Sequence, residues 1–292
     1  MTPRSMSTQT PFDAPALMRP RVSRELIQFV SRSITDRDKN ICLDIYEHRF
    51  LTTHQANRIY FESYTRARAR LFHLYRLRVL DRFRPLRGSG SYPWYYVLDE
   101  IGIHIVAAIR GVDQRELKYD KAKALAQVFS PRLRHMTEVN DFFTRIAQAS
   151  RTSEGLLRLS SWLGERSCRA RWKGYVHPDG FGSIEEPNGA VSFWLELDGG
   201  TEIRSRLAEK LDRYSALSDI RGSADLILFT FPGSEREAGA RKVLFNCGIE
   251  VMTGVFENHM EDPMGKLWLP IGSQTRIRVS DLVKAPKRRI SA

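Results

Sequence analysis

Five residues in the second half of the chain have the types and spacing for chemistry on a phosphate. They are Asp179 in HPDGFG, Glu196 and Asp198 in FWLELDGG, Glu165 in SWLGERSCR, and Lys210 in RLAEKLDRY. Carboxylates converging from neighbouring strands hold Mg²⁺ or Mn²⁺; the ion activates water and neutralises the charge that develops on a phosphate under attack. Asp179 and Glu196 are the expected metal ligands, with Asp198 as a third. Lys210 is expected to orient the attacking water, and Glu165 to add an acid from a helix. Ordinary readings stand beside these. Pro178-Asp179-Gly180 is also a common turn, Asp198 before Gly199-Gly200 also ends a strand, and Lys210 is also a solvated helix lysine. Glu196 says more. On a strand, Leu195 and Leu197 point to one face and Glu196 to the other with Trp194. If that face is buried, the carboxylate needs a partner, and a cation or Lys210 would supply it.

The elements that must position these residues are legible in outline. Apolar runs at Cys168 to Val176, Val191 to Leu197 and Ala224 to Phe231 read as strands. Thr201 to Leu217 and Glu235 to Leu244 read as helices, and the alternation predicts an α/β mixed sheet with at least one crossover. Upstream, Leu133, Met136, Val139, Phe143 and Ile146 recur every three or four residues, an amphipathic helix over 130–150.

The first half carries a different signal. Apolar spacing over Asp38 to Phe50 predicts one helix, HQANRIYF a second, and Ser63 caps a third, SYTRARARLFHLYRLR, whose Ala67, Leu71 and Leu74 face a core. Two strand-like runs, VLDRFRPLR and YPWYYVL, flank the turn Gly88-Ser89-Gly90-Ser91. Three helices and a β-hairpin make a winged helix-turn-helix, whose third helix enters a major groove. Between Ser63 and Arg87 stand eight arginines against one acid, Asp81. Thr65, Arg66, Arg68, Arg70, Arg76, Arg82, Arg84 and Arg87 are the expected DNA-binding residues. Arg66 and Arg68 are assigned to base edges and Arg82, Arg84 and Arg87 to phosphates, while Trp94, Tyr95 and Tyr96 read as strand packing. A solvated basic helix face is the plain alternative.

Composition agrees with a polyanionic partner. The 292 residues carry a formal net charge of +12, and each neutralised phosphate releases counterions. Double-stranded DNA is the expected partner, with a homodimer and replication or relaxosome proteins as further candidates. No apolar run spans a bilayer and the N-terminus lacks the apolar core of a signal peptide, so a cytoplasmic protein with no membrane partner is expected. Cys42, Cys168 and Cys247 have neither disulfide nor zinc spacing. The layout expected is a disordered basic arm over 1–35, the winged helix over 36–115, a helical linker over 116–150, a nuclease-like α/β domain over 151–278 and a basic tail over 279–292.

Over Leu51 to Leu269 the chain resembles the replication-relaxation family. The resemblance is carried by LTTHQANRIYF, RLFHLYRLRVLDRF with YYVLDEIG, HMTEVNDFF, SWLGER, PDG with LELDGGTE, EKLDRY and GKLWLP in that order. It implies a winged-helix DNA-binding domain joined to a nuclease-like domain, acting in plasmid replication or DNA relaxation. The acids it implies are Glu165, Asp179, Glu196, Asp198 and Glu202, with Lys210. The second domain also resembles the PD-(D/E)xK nucleases, whose two acids lie on adjacent strands and whose lysine sits where this chain has Asp198; Lys210 on the following helix is the substitute some relatives use. Gly199 departs from the arginine that relatives often carry there. Two functions follow: Mg²⁺-dependent nicking of DNA, or regulation of transcription or replication by a winged-helix protein whose nuclease-like domain is a silent scaffold for dimerisation or partner binding. RNA binding has no motif to support it.

Overall fold

The computed structural model describes residues 19–86, 91–200, 204–221, 226–244, 249–255 and 262–282. The chain runs α1 (Arg24–Ser33), α2 (Asp36–His48), β1 (Leu51–Thr52), α3 (Thr53–Tyr60), α4 (Tyr64–Arg76), β2 (Leu80–Phe83), β3 (Tyr95–Leu98), α5 (Glu100–Arg110), α6 (Lys121–Leu125), α7 (Leu133–Thr152), β4 (Arg158–Gly164), α8 (Glu165–Arg171), β5 (Gly180–Glu186), β6 (Gly189–Leu197), α9 (Arg204–Arg221), β7 (Leu226–Phe231), α10 (Ser234–Arg241), β8 (Val251–Val255) and β9 (Leu269–Pro270). It divides into two compact units, one holding residues up to 53 and 62–128, the other 54–61 and 129 onward.

In the first unit, β1, β3 and β2 form an antiparallel sheet in that order, with Leu80 opposite Leu98 and Phe83 opposite Tyr95. Local chemistry starts each helix where it does. Thr35 and Asp38 form a capping box on α2, and Ser63 Oγ accepts the Arg66 amide at the start of α4. Ala67, Leu71 and Leu74 bury the inner stripe of α4, as their spacing requires. Residues 24–33, inside the arm expected to be disordered, are helical, because Leu26 and Val30 at i and i+4 give that segment its own buried face.

The second unit is built on a mixed sheet of order β4-β5-β6-β7-β8-β9, antiparallel from β4 to β6, parallel from β6 to β8, and antiparallel again at β9. Alternate residues of β6 divide the two faces. Phe193, Leu195 and Leu197 pack with Val139, Phe142, Phe143 and Ile146 of α7. Trp194 lies on the other face among Cys168 of α8, Leu207, Leu211 and Tyr214 of α9, and Ala240 of α10. The strand expected at Cys168 to Val176 is instead α8 and the turn after it. Cys168, Trp172 and Val176 are buried at intervals of four, which is helical spacing, while the residues between them carry charge to the surface. Helix α3, in the chain between β1 and α4, groups with the second unit, where Gln55 donates to Thr137 O at 3.1 Å and Arg58 pairs with Asp141. Among the described residues no helix is long and apolar enough to cross a membrane.

Candidate functional site

Strand register brings the acids together. Gly164 pairs with Gly180, and Gly180 with Leu195, so Glu165, Asp179 and Glu196 stand in one row at the ends of β4, β5 and β6. Asp179 is anchored at three points. Its amide donates to Leu195 O at 3.0 Å, its Oδ2 accepts the Leu197 amide at 2.9 Å, and its Oδ1 lies 2.8 Å from His135 Nε2 on α7. The hydrogen bond to Asp179 raises the His135 pKa, and burial opposes it.

Glu196 lies on the α9 face, its side chain 4 % exposed. Lys210 Nζ donates to its Oε2 at 2.9 Å and the Tyr214 hydroxyl to its Oε1 at 2.5 Å. Lys210 and Tyr214 are four residues apart on α9, so one helical face delivers both donors. Burial pushes the Glu196 carboxyl up to about 7; the charge of Asp179 adds to the push and Lys210 opposes it. Burial and the neighbouring Glu196 together raise Tyr214 well above the ordinary phenol.

The remaining acids are committed elsewhere. Asp198 accepts from Arg236 Nε at 2.7 Å and closes a turn through the Gly200 amide at 2.8 Å. Glu165 faces Arg132, each of its oxygens 3.4 Å from a guanidinium nitrogen. Both oxygens of Asp179 and both of Glu196 are already engaged by protein groups. Among the described residues no three His, Cys, Asp or Glu side chains are gathered to hold a metal ion. Mg²⁺ or Mn²⁺ would be held here by Asp179 and Glu196 through the lone pairs that His135, the Leu197 amide, Lys210 and Tyr214 leave open, since a carboxylate oxygen accepts more than one partner.

The basic residues divide in the same way. Tyr64, Thr65, Arg68 and Phe72 of α4, with Arg82 of β2 and Trp94 before β3, line a groove of about 480 Å³. The guanidinium carbons of Arg82 and Arg84 lie 4.0 and 4.1 Å from the Trp94 ring centroid. Arg66 is on the exposed face too, paired with Glu62 at 2.9 Å. Arg76 is half-buried near the end of α4. Arg70 points away, its Nε donating to the buried Asp38 at 2.9 Å. Burial works against the charge of Asp38, and the bonds from Arg70 and Thr35 outweigh it and hold its pKa below the ordinary value. Arg87, the Gly88 to Gly90 turn, Glu202, Cys247 and the basic run from Lys284 to Arg289 lie outside the described residues. Cys42 and Cys168 are buried free thiols.

Sequence reasoning passed over His135, Arg132 and Arg236 and took Tyr214 and Trp94 as packing. For His135 there was a usable signal: it stands four residues before Val139 and seven before Phe142, on the inner stripe of α7, where a polar side chain needs a partner.

A family model described as replication-relaxation matches residues 43–225, more than half of the chain. Comparison with curated proteins and with solved structures returns no match. The matched span runs from α2 to the edge of β7 and takes in the α4 groove together with the Asp179, Glu196 and Lys210 cluster. This chain therefore belongs to the replication-relaxation family.

Proposed function

We propose that the protein binds double-stranded DNA through α4 and the β2–β3 hairpin, as a winged helix does, and acts in the replication or relaxation of a plasmid or mobile element. The observation that carries this reading is the groove, where Thr65, Arg68, Arg82 and Trp94 converge with Arg84 at its edge. Cations on a helix face and a hairpin are the groups that hold duplex phosphates, and we assign Thr65 and Arg68, in the first two turns of α4, to base edges. The test is a binding titration of duplex DNA with wild type, Arg68→Ala, Arg82→Ala and, as a contrast, Lys242→Ala on the second unit. Loss of affinity confined to Arg68→Ala and Arg82→Ala supports the reading; equal affinity in all four sinks it.

A second reading, nicking by a PD-(D/E)xK-like domain, is favoured by one observation. Asp179, immediately before β5, and Glu196, on the adjacent antiparallel β6, stand beside each other, with a lysine amino group at 2.9 Å from Glu196. Asp179 and Glu196 would hold Mg²⁺ or Mn²⁺, with their carboxylates oriented by His135, Lys210, Tyr214 and the Leu197 amide. The regulator with a silent nuclease-like domain, in which the cluster is a buried polar clamp between sheet and helices, is supported by the finding that among the described residues no third acid gathers with Asp179 and Glu196. Supercoiled plasmid incubated with Mg²⁺ or Mn²⁺ separates the two. Open circles with wild type and none with Asp179→Ala or Glu196→Ala would establish nicking; intact plasmid throughout establishes the scaffold.

A further inference from the structure

We infer that the α4 groove is a pocket for an unpaired nucleobase, so that the protein prefers locally melted DNA to intact duplex. The inference rests on the DNA-binding reading above and assigns the groove a ligand. Bases stacked in a duplex present only edges to a protein, and a convex helix face suffices to read them. Here the exposed side of α4 instead opens onto a recess of about 480 Å³, a size at which pockets take small molecules. Its walls are mostly carbon, with Tyr64, Phe72 and Trp94 among the lining residues, and aromatic lining of this kind accepts base faces regardless of sequence.

The charges at the groove select the same ligand. Arg68 and Arg82 line it, no carboxylate does, and Arg84 reaches the same indole. An apolar peptide would have no use for these cations, whereas a nucleotide brings a ring and a phosphate together. Arg82 also lies 4.4 Å from the Tyr75 ring centroid and 5.1 Å from that of Phe72. The surface offered to a base is thus a guanidinium plane backed by aromatic rings, and guanidinium planes stack on bases as aromatic side chains do. Tyr95 and Tyr96 take no part, since both are buried in the sheet. Ala69, on the helix side, leaves the room that a larger residue would close.

The experiment measures affinity for a short duplex and for the same duplex carrying a central stretch of mismatched thymines. The melted probe is expected to bind at least about tenfold more tightly, the scale of stacking one base on an aromatic side chain. Trp94→Ala is expected to erase that preference and Trp94→Phe to keep most of it. Ala69→Leu, an exposed helix position where leucine is well tolerated, is expected to erase it without touching the ring. Equal affinity of wild type for both probes overturns the inference and leaves duplex binding standing. Preference unchanged in both Trp94→Ala and Ala69→Leu also overturns it. Binding to neither probe removes the DNA-binding reading itself.

Discussion

Glu196 has its two oxygens divided between Lys210 and Tyr214, and its carboxyl still titrates near about 7 because burial outweighs those donors. In the unfolded chain the same group titrates near its ordinary 4.5, so folding takes up a proton between these values. The contribution of Glu196 to stability is therefore complete below about 4.5 and is lost as pH rises through about 7. Glu196→Gln keeps the shape and an oxygen for Lys210 but cannot ionise. Its melting temperature minus that of wild type should grow as pH goes from about 4.5 to about 8; a difference that stays flat would mean that Glu196 ionises normally in its buried site. Arg70 gives a second case. Removing it leaves the Asp38 carboxylate, whose side chain is fully buried, without a counter-charge and with only its bonds from Thr35. Arg70→Ala should cost about 3 kcal/mol of folding stability by chemical denaturation, the scale for breaking one side of a buried pair. A cost near that of a surface substitution would show that Arg70 is free to serve DNA.

Among the elements, β5 shows how a strand is selected by what packs on it. A Cβ built on Gly182 would stand 2.5 Å from Phe193 Cζ and 2.9 Å from Phe143 Cε1, so α7 approaches β5 over a surface that glycine leaves bare. Gly182→Ala is expected to destabilise the second unit by about 1–3 kcal/mol, the cost of overpacking, visible as a lower urea midpoint with unchanged slope. An unchanged midpoint would mean that the Phe143 and Phe193 rings move aside freely. The strands expected from apolar runs did not include β5, whose Gly180 and Gly182 allow this approach and interrupt any apolar run; Pro187-Asn188 turn it back onto β6. Helix α8 misleads in the opposite direction. Its segment reads as an apolar run, although Cys168 and Trp172 recur at the spacing of four that a helix buries.

For the whole molecule the governing quantity is the net charge of +12. If Arg82, Arg84 and two further cations each neutralise a phosphate, the slope of log affinity against log salt is about −3.6, and raising salt from about 50 to about 200 mM weakens duplex binding roughly a hundredfold. Arg82→Ala should make that slope shallower by about one unit. A titration across this salt range checks both numbers, and a salt-independent affinity would place the contact on apolar surface rather than phosphate. The charge is not spread evenly in its use. Arg58, Arg70, Arg78, Arg236, Arg241 and Arg276 spend theirs on internal carboxylates or carbonyls, so the 46 lysines and arginines overstate the number of phosphates the protein can neutralise.

By itself the sequence determined those features that depend on nearest neighbours along the chain. The caps at Thr35 and Ser63, the inner stripe of α4, the alternation of Leu195, Glu196 and Leu197, and the excess of arginine all follow from spacing and side-chain chemistry over a few residues. It also led to the pairing of Glu196 with Lys210, because a helix following a strand can return a long side chain to it. Only the tertiary structure decided what each polar group meets. Asp198 turned to Arg236, Arg70 to Asp38 and Asp179 to His135, partners 38, 32 and 44 residues distant. The physical reason is that a buried charge must be paired wherever it falls, and the partner is chosen by which elements the hydrophobic faces bring together, which no local pattern records.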